Sequence, residues 1–305
     1  MAKDIISTLP DEILCHILSF LQTKEAGATT ILSKRWKHIW RSVTTLCIDA
    51  EVNESLNSHS TFIHLMNSVL FSRHPALPIK TFHLDVNYDF PHEYPSKNLP
   101  DWVNLVVQRG VECLYLRVLS EYVAKLPITI LTCETLVVLK LTFFRVEIAV
   151  HNVPSLRLNY RQEYHHNDLI PTFHNLTQLE LDCYDYSKEL LLDVLNHCPK
   201  LQRLDLAEYL VDKKVRARKD DKTSWVFPDV VPQCLLLHLR TCNLFSFLGL
   251  HGELMLASYI LKNARVLQTM KIWNDGQPGI KRILSAVPMS SSMCKLTVYN
   301  ESRSI

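Results

Sequence analysis

The sequence predicts an α/β chain. N-terminal helices lead into a repeat solenoid whose strands form a parallel sheet on the concave face. Three observations predict this. A six-residue pattern, apolar-x-x-apolar-x-apolar, recurs from Val43 to Val298. Segments between the recurrences have helical periodicity. Ahead of the first recurrence, the residues from Pro10 to Leu21 read as a helix, and Leu32, Trp36 and Trp40 recur at helical spacing. At 305 residues the chain exceeds the size at which one compact core is usual, so two domains or one elongated repeat domain is expected.

The first helix is apolar on two sides. Ile13, Ile17 and Phe20 form one stripe, and Leu14, Leu18 and Leu21 form another with the same spacing. A short surface helix normally buries one stripe. Two stripes need two things to bury against, the protein's own core and a partner. Pro10 suits a first helical turn, and Asp11 and Glu12 sit where the helix dipole favours negative charge. Leu32, Trp36 and Trp40 recur every four residues, which predicts one shared helix face.

Leu9-Pro10-Asp11-Glu12-Ile13-Leu14, Ile17-Leu18 and Leu32-Ser33-Lys34-Arg35-Trp36 resemble an F-box. This is the helical module by which substrate adaptors dock on Skp-type subunits of Skp–Cullin–F-box ubiquitin ligases. The resemblance implies an adaptor-binding set of Leu9, Pro10, Ile13, Leu14, Ile17, Leu18, Leu32 and Trp36. It also implies a cullin as an indirect partner. Gly27 departs from the pattern, which usually has an apolar residue there. Glycine in a helix interior costs about 1 kcal/mol relative to alanine.

The repeats come next. The pattern occurs at Val43…Leu46…Ile48, Ile79…Phe82…Leu84, Val111…Leu114…Leu116 and Leu136…Leu139…Leu141. It continues at Val153…Leu156…Leu158, Leu176…Leu179…Leu181, Leu201…Leu204…Leu206, Cys234…Leu237…Leu239, Leu267…Met270…Ile272 and Met293…Leu296…Val298. From Leu116 to Leu206 the spacing is roughly 17 to 25 residues, which brackets the leucine-rich-repeat period. Amphipathic helices are expected around Phe62, Leu65, Met66 and Val69, from Asp101 to Arg109 with Gly110 as the stop, and after Ser187 with Leu191, Val194, Leu195 and Cys198 on one face. An ordinary α/β domain is the alternative to a solenoid.

Val231-Pro232-Gln233-Cys234-Leu235-Leu236, Ala257-Ser258-Tyr259-Ile260-Leu261-Lys262-Asn263-Ala264 and Cys294-Lys295-Leu296 look like the FBD region at the C-terminus of many plant F-box/leucine-rich-repeat proteins. The expected organisation is 1–42 F-box, 43–224 leucine-rich repeats, and 225–305 FBD region completing or capping the solenoid.

Composition bounds the function. With 33 basic and 31 acidic side chains the net charge is +2, so a nucleic-acid partner is not expected. No window approaches the apolar length of a membrane span, and no signal peptide opens the sequence. The nine cysteines lack CxxC spacing, which argues against zinc ribbons and suits reduced thiols in the cytoplasm or nucleus. His165-His166 with Asp168 reads as a polar loop rather than a metal site, since spacing fixes no third ligand. The charged run from Asp212 to Lys222 reads as a solvated insertion. No hydrolase, zincin or phosphate-loop motif occurs, so no catalytic residue, metal or cofactor is expected.

In the repeat pattern, the residue between the last two apolar positions and the residue after them belong to the open sheet face. The candidate target-binding stripe is therefore Tyr115, Arg117, Lys140, Arg157, Glu180, Asp182, Asp205, His238, Arg240 and Trp273. Arg157 and Arg203 are expected beside an acidic patch of Glu180, Asp182 and Asp205 that is open to water. The leading expectation is a non-enzymatic substrate adaptor of a ubiquitin ligase. A repeat scaffold without ligase function is the alternative.

Overall fold

The computed structural model describes residues 6–52, 56–88, 95–119, 127–130, 133–142, 147–148, 156–157, 172–183, 191–192, 195–208, 230–275 and 278–300. His165, His166, Asp168, the run 212–222, Ser187 and Val194 lie outside them. The chain forms two compact units, Met1–Thr135 and Leu136–Ile305. No helix among the described residues is long and apolar enough to cross a membrane.

The first unit opens with three short helices, α1 (Asp11–Leu18), α2 (Thr23–Ala28) and α3 (Lys34–Ser42). Pro10 is the N-cap of α1, with Asp11 and Glu12 in the first turn. Leu14, Leu18, Ala26, Trp36, Ile39 and Val43 make a small core of their own, and Leu9, Cys15 and Trp40 pack on its edge. Ser33 is the N-cap of α3, so Leu32 precedes the helix and does not share a face with Trp36 and Trp40. The four-residue spacing of these residues misled, because a capping serine interrupts it.

Three parallel strands follow, β1 (Thr45–Val52), β2 (Thr81–Tyr88) and β3 (Cys113–Leu119), in chain order and in register. Helices α4 (Leu56–Phe71) and α5 (Pro95–Gln108) link them. Alternate residues of each strand are buried. These share a core with Phe62, Met66 and Val69 of α4 and Trp102, Val103 and Val106 of α5. Gly110 follows α5 with a φ of 72° and stops it, as expected. The helix itself starts at Pro95, earlier than the expected Asp101.

The second unit carries β4 (Val138–Thr142), β7 (Gln178–Cys183), β8 (Arg203–Glu208), β9 (Thr241–Phe247), β10 (Thr269–Asn274) and β11 (Lys295–Asn300), again parallel and in chain order. Helices α6 (Gln233–Leu237), α7 (His251–Asn263) and α8 (Ile280–Ser285) connect the later strands. One backbone step recurs where each repeat turns into its strand. Gln202 N–H donates to the Thr177 carbonyl, Arg240 to Gln202, Gln268 to Arg240 and Lys295 to Gln268, each at 2.8 or 2.9 Å. Parallel strands joined by crossovers, each repeat hydrogen-bonded to the one before, are what the leucine pattern predicts.

Two recurrences of that pattern are corrected. Leu156–Arg157 is β6, which pairs antiparallel with β5 (Glu147–Ile148) in a separate two-stranded sheet, and the neighbour of β7 is β4. Arg157 is therefore opposite Glu147, not beside Glu180. The run at Cys234–Leu239 is the helix α6, capped by Pro232, and the strand lies five residues later at Thr241–Phe247. A short apolar run fits either period, and here the proline before it selects the helix. His238 is the C-cap of α6 and Arg240 precedes β9, so neither is on the strand. Asn243 and Phe245 take those sheet positions.

Candidate interaction surfaces

The first surface is on α1 and the turn before α3. Leu14 and Leu18 are 0% and 2% exposed, whereas Ile13 and Ile17 are 46% and 44% exposed. The two stripes of the helix thus part: one fills the helical core and the other faces outward. Phe20, Leu21, Ile31 and Leu32 are also exposed, Phe20 and Ile31 by more than three-quarters. Of the implied adaptor-binding residues, Ile13, Ile17, Leu32 and Pro10 are at the surface, Leu9 is partly buried, and Leu14, Leu18 and Trp36 belong to the core. Phe20 and Ile31 were absent from the implied set. Phe20 was legible as the end of the outer stripe. Ile31 lies in a 3-10 turn that periodicity does not reveal.

Arg35 holds this surface in shape. Its guanidinium donates to the Asp11 carboxylate at 2.6 and 2.9 Å and to the Leu9 carbonyl, tying α3 to the start of α1. Gln22 N–H donates to Glu25 at 3.2 Å and caps α2. Gly27 sits inside α2, and a Cβ built there would meet nothing within 4 Å. The helical core therefore lacks no side chain at Gly27. A larger residue there would face away from it.

Arg73, just after α4, ties that segment to the end of α3. It is 2% exposed and donates to the carbonyls of Trp40 (3.3 Å) and Val43 at the end of α3. Burial lowers its pKa to about 10, helped by the neighbouring cation Arg109. Thr23, also buried, accepts from Cys47 N–H of β1 at 2.9 Å.

The second surface is, in each unit, the strand face opposite the buried leucines. In the first unit Asp49, Asp85 and Arg117 share one row, and Arg117 donates to both Asp85 oxygens at 3.0 and 2.9 Å. Tyr115 neighbours His83, ring centroids 5.6 Å apart, and Cys47 completes that row. Burial pushes the Cys47 thiol up, Asp49 and Asp85 add to this, and its Sγ lies 3.8 Å from His83 Nδ1.

In the second unit Lys140, Glu180, Asp205, Asn243, Lys271 and Thr297 share a row. Lys140 pairs with Glu180 at 2.7 Å, and Arg203 with Asp205 at 2.8 Å. Asp205 is 4% exposed and also accepts from Asn243 Nδ2 at 2.6 Å. The acidic patch expected to be open to water is therefore half closed. Glu180 is at the surface, but Asp205 is buried and fully engaged. Asp182 lies between Thr142 and Ala207 in the next row. Phe245, Trp273 and Tyr299 stack in sequence across three strands, centroids 4.3 and 5.1 Å apart. Trp273 was legible from the pattern. Its partner Phe245 was hidden by the misplaced strand.

The two surfaces fit a known domain order. The F-box domain profile matches residues 6–47, the leucine-rich repeats of FBD-associated F-box protein At5g56370 match 99–221, and the FBD profile matches 228–272. The chain is a plant F-box/leucine-rich-repeat protein with a C-terminal FBD region. It is 31% identical over 250 residues to F-box/LRR-repeat protein At4g14103 of Arabidopsis thaliana, covering 77% of this chain and 59% of that one. It is 35% identical over 167 residues to F-box/LRR-repeat protein At3g59190 (51% and 42%), and 28% identical over 219 residues to F-box/FBD/LRR-repeat protein At1g78750 (68% and 43%), both also from Arabidopsis thaliana. The F-box/LRR chain thus spans about half the length of these relatives. The F-box match covers the helical core and the exposed stripe. The FBD match runs from ahead of α6 into β10.

Proposed function

We propose that this chain is a substrate-recognition adaptor of a Skp–Cullin–F-box ubiquitin ligase. On this reading residues 1–42 are the docking module, 43–224 the repeats, and 225–305 the FBD region that completes them. The observation that carries the reading is the separation of the two stripes of α1. Leu14 and Leu18 are spent on the F-box core, leaving Ile13, Ile17, Phe20, Ile31 and Leu32 as an outward apolar patch. Contiguous exposed apolar surface marks an interaction site. In an F-box that site takes a Skp-type subunit, and through it a cullin. A protein target binds the open sheet faces, with Tyr115, Arg117, Lys140, Glu180 and Trp273 among the contacts. The chain itself catalyses nothing. Ubiquitin transfer follows from holding the target near a charged conjugating enzyme.

The test is co-purification with a plant Skp-type subunit. Ile13→Glu with Ile17→Glu should abolish capture while leaving the melting temperature within a few degrees, since both side chains already face water. Leu14→Ala should instead lower stability by about 2–5 kcal/mol. Full capture by the double variant would move the interface elsewhere. No capture by the natural chain would favour an interaction scaffold without ligase function. The feature that supports that second reading is Gly27, whose missing side chain is missing from the outward side.

A further inference from the structure

The last strand of the second unit has one paired side. β11 is bonded to β10, and no strand among the described residues pairs with its other edge. Lys295 N–H donates to the Gln268 carbonyl of the preceding repeat at 2.9 Å. In a parallel strand each residue turns its N–H and C=O to the same side, and the sides alternate. Lys295, Thr297 and Tyr299 therefore bond toward β10, and Leu296, Val298 and Asn300 present their backbone groups outward. Such a row is a template for another strand.

Three features of this edge describe what would complete it. On β8, β9 and β10 the core-facing residues Leu204, Cys242, Leu244, Met270 and Ile272 are at most 4% exposed. Their counterparts on β11, Leu296 and Val298, are only half-buried, so burial of the stacked core falls off at this strand among the described residues. On the other face the ring ladder from Phe245 through Trp273 ends at Tyr299, which is 42% exposed. Beside it Asn274 donates to Asn300 at 3.0 Å, a second ladder that stops at the same strand. Around this edge Lys271, Lys281, Arg282 and Lys295 are cations with no ion pair to a described residue, and α8, which carries two of them, packs on β11.

We propose that the β11 edge docks an extended acidic segment of a partner protein by strand addition. In parallel register the segment carries acidic residues opposite Lys295 and Thr297. It carries β-branched residues opposite Leu296 and Val298, and an aromatic ring opposite Tyr299 that lengthens the stack. Main-chain bonds supply affinity, and the side-chain pattern with the surrounding cations supplies selectivity. This site goes beyond the F-box reading and does not depend on it.

The experiment is an anisotropy titration of the full chain with a labelled peptide containing Asp-Val-Glu-Val-Tyr-Asn. A scrambled peptide of the same composition is the control. The ordered peptide should bind at least about tenfold more tightly, with affinity falling as salt rises. Val298→Pro removes an outward N–H and leaves the β10 ladder intact, and it should abolish the preference. Lys295→Glu, at an exposed position, should weaken binding about tenfold and be rescued by a peptide with lysine at the facing position. If Val298→Pro does not fold by circular dichroism, the charge swap at Lys295 decides alone. Equal binding of the scrambled peptide, or no rescue in the swap, overturns the proposal. So does a dimer of the natural chain in sedimentation velocity that Lys295→Glu alters, because the occupant is then a second copy. None of these readouts involves a Skp-type subunit, so their failure leaves the adaptor reading standing.

Discussion

Gly27 is a helix-interior glycine with ordinary helical backbone and open space where its side chain would be. Alanine there should add about 1 kcal/mol of stability from helix propensity alone. Valine should add less, about 0.3 kcal/mol, because its branched side chain loses rotamer freedom in a helix and finds nothing to pack against. Urea midpoints of the two variants check the order, and valine exceeding alanine would mean a contact that the fold does not show. Arg73 is the opposite kind of residue, buried and committed to carbonyls at the end of α3. Arg73→Met should cost about 3 kcal/mol or more, since it leaves the Val43 carbonyl without its donor and removes the tie between the end of α3 and the segment after α4. The readout is a separate, earlier melting of the helices.

The polar row of the second unit separates two acids that look equivalent in the sequence. Glu180 pairs with Lys140 across neighbouring strands, both side chains about one-third exposed. Glu180→Lys should cost about 0–1 kcal/mol. Asp205 holds Arg203 and Asn243 together under 4% exposure. Asp205→Lys would bury a cation beside Arg203 and should cost about 3–5 kcal/mol, so it reports stability rather than recognition. Denaturation midpoints of the two single variants distinguish them. Equal midpoints would mean that Asp205 is free to reach water. In α7 another buried acid, Glu253, accepts from Leu248 and Leu250 N–H at 3.0 and 2.9 Å and fixes the start of the long FBD helix.

The same burial that closes the repeats predicts that stability falls in alkali. Burial pushes the thiols of Cys198, Cys234 and Cys242 up from 9.0, Cys234 to about 12. It also raises Tyr88. Above pH 9 the unfolded chain loses these protons while the folded chain keeps them. The folded state then binds more protons, and stability falls as pH rises. Arg73, lowered to about 10, works in the opposite direction, but only above pH 10. Urea midpoints should therefore drop between pH 8 and pH 10, and a flat profile would mean that the thiols are not buried.

Domain order and strand placement were legible wherever local pattern and tertiary role coincide. Leu46, Leu84, Leu116, Leu141, Leu206 and Ile272 all stand on parallel strands at the phase of the repeat, because alternation along a strand is a short-range property of the chain. The two-faced α1 was legible for the same reason. Other features were decided by pairing and packing between elements. Leu156–Arg157 left the main sheet for a partner at Glu147–Ile148. The fate of each acid followed from its neighbours: Asp205 became a buried clamp because Arg203 and Asn243 converge on it, while Glu180 met a lysine at the surface. Periodicity says which side of an element is apolar. Only packing says which of two apolar sides, or which of two charges, is left facing water, because burial depends on every neighbour at once.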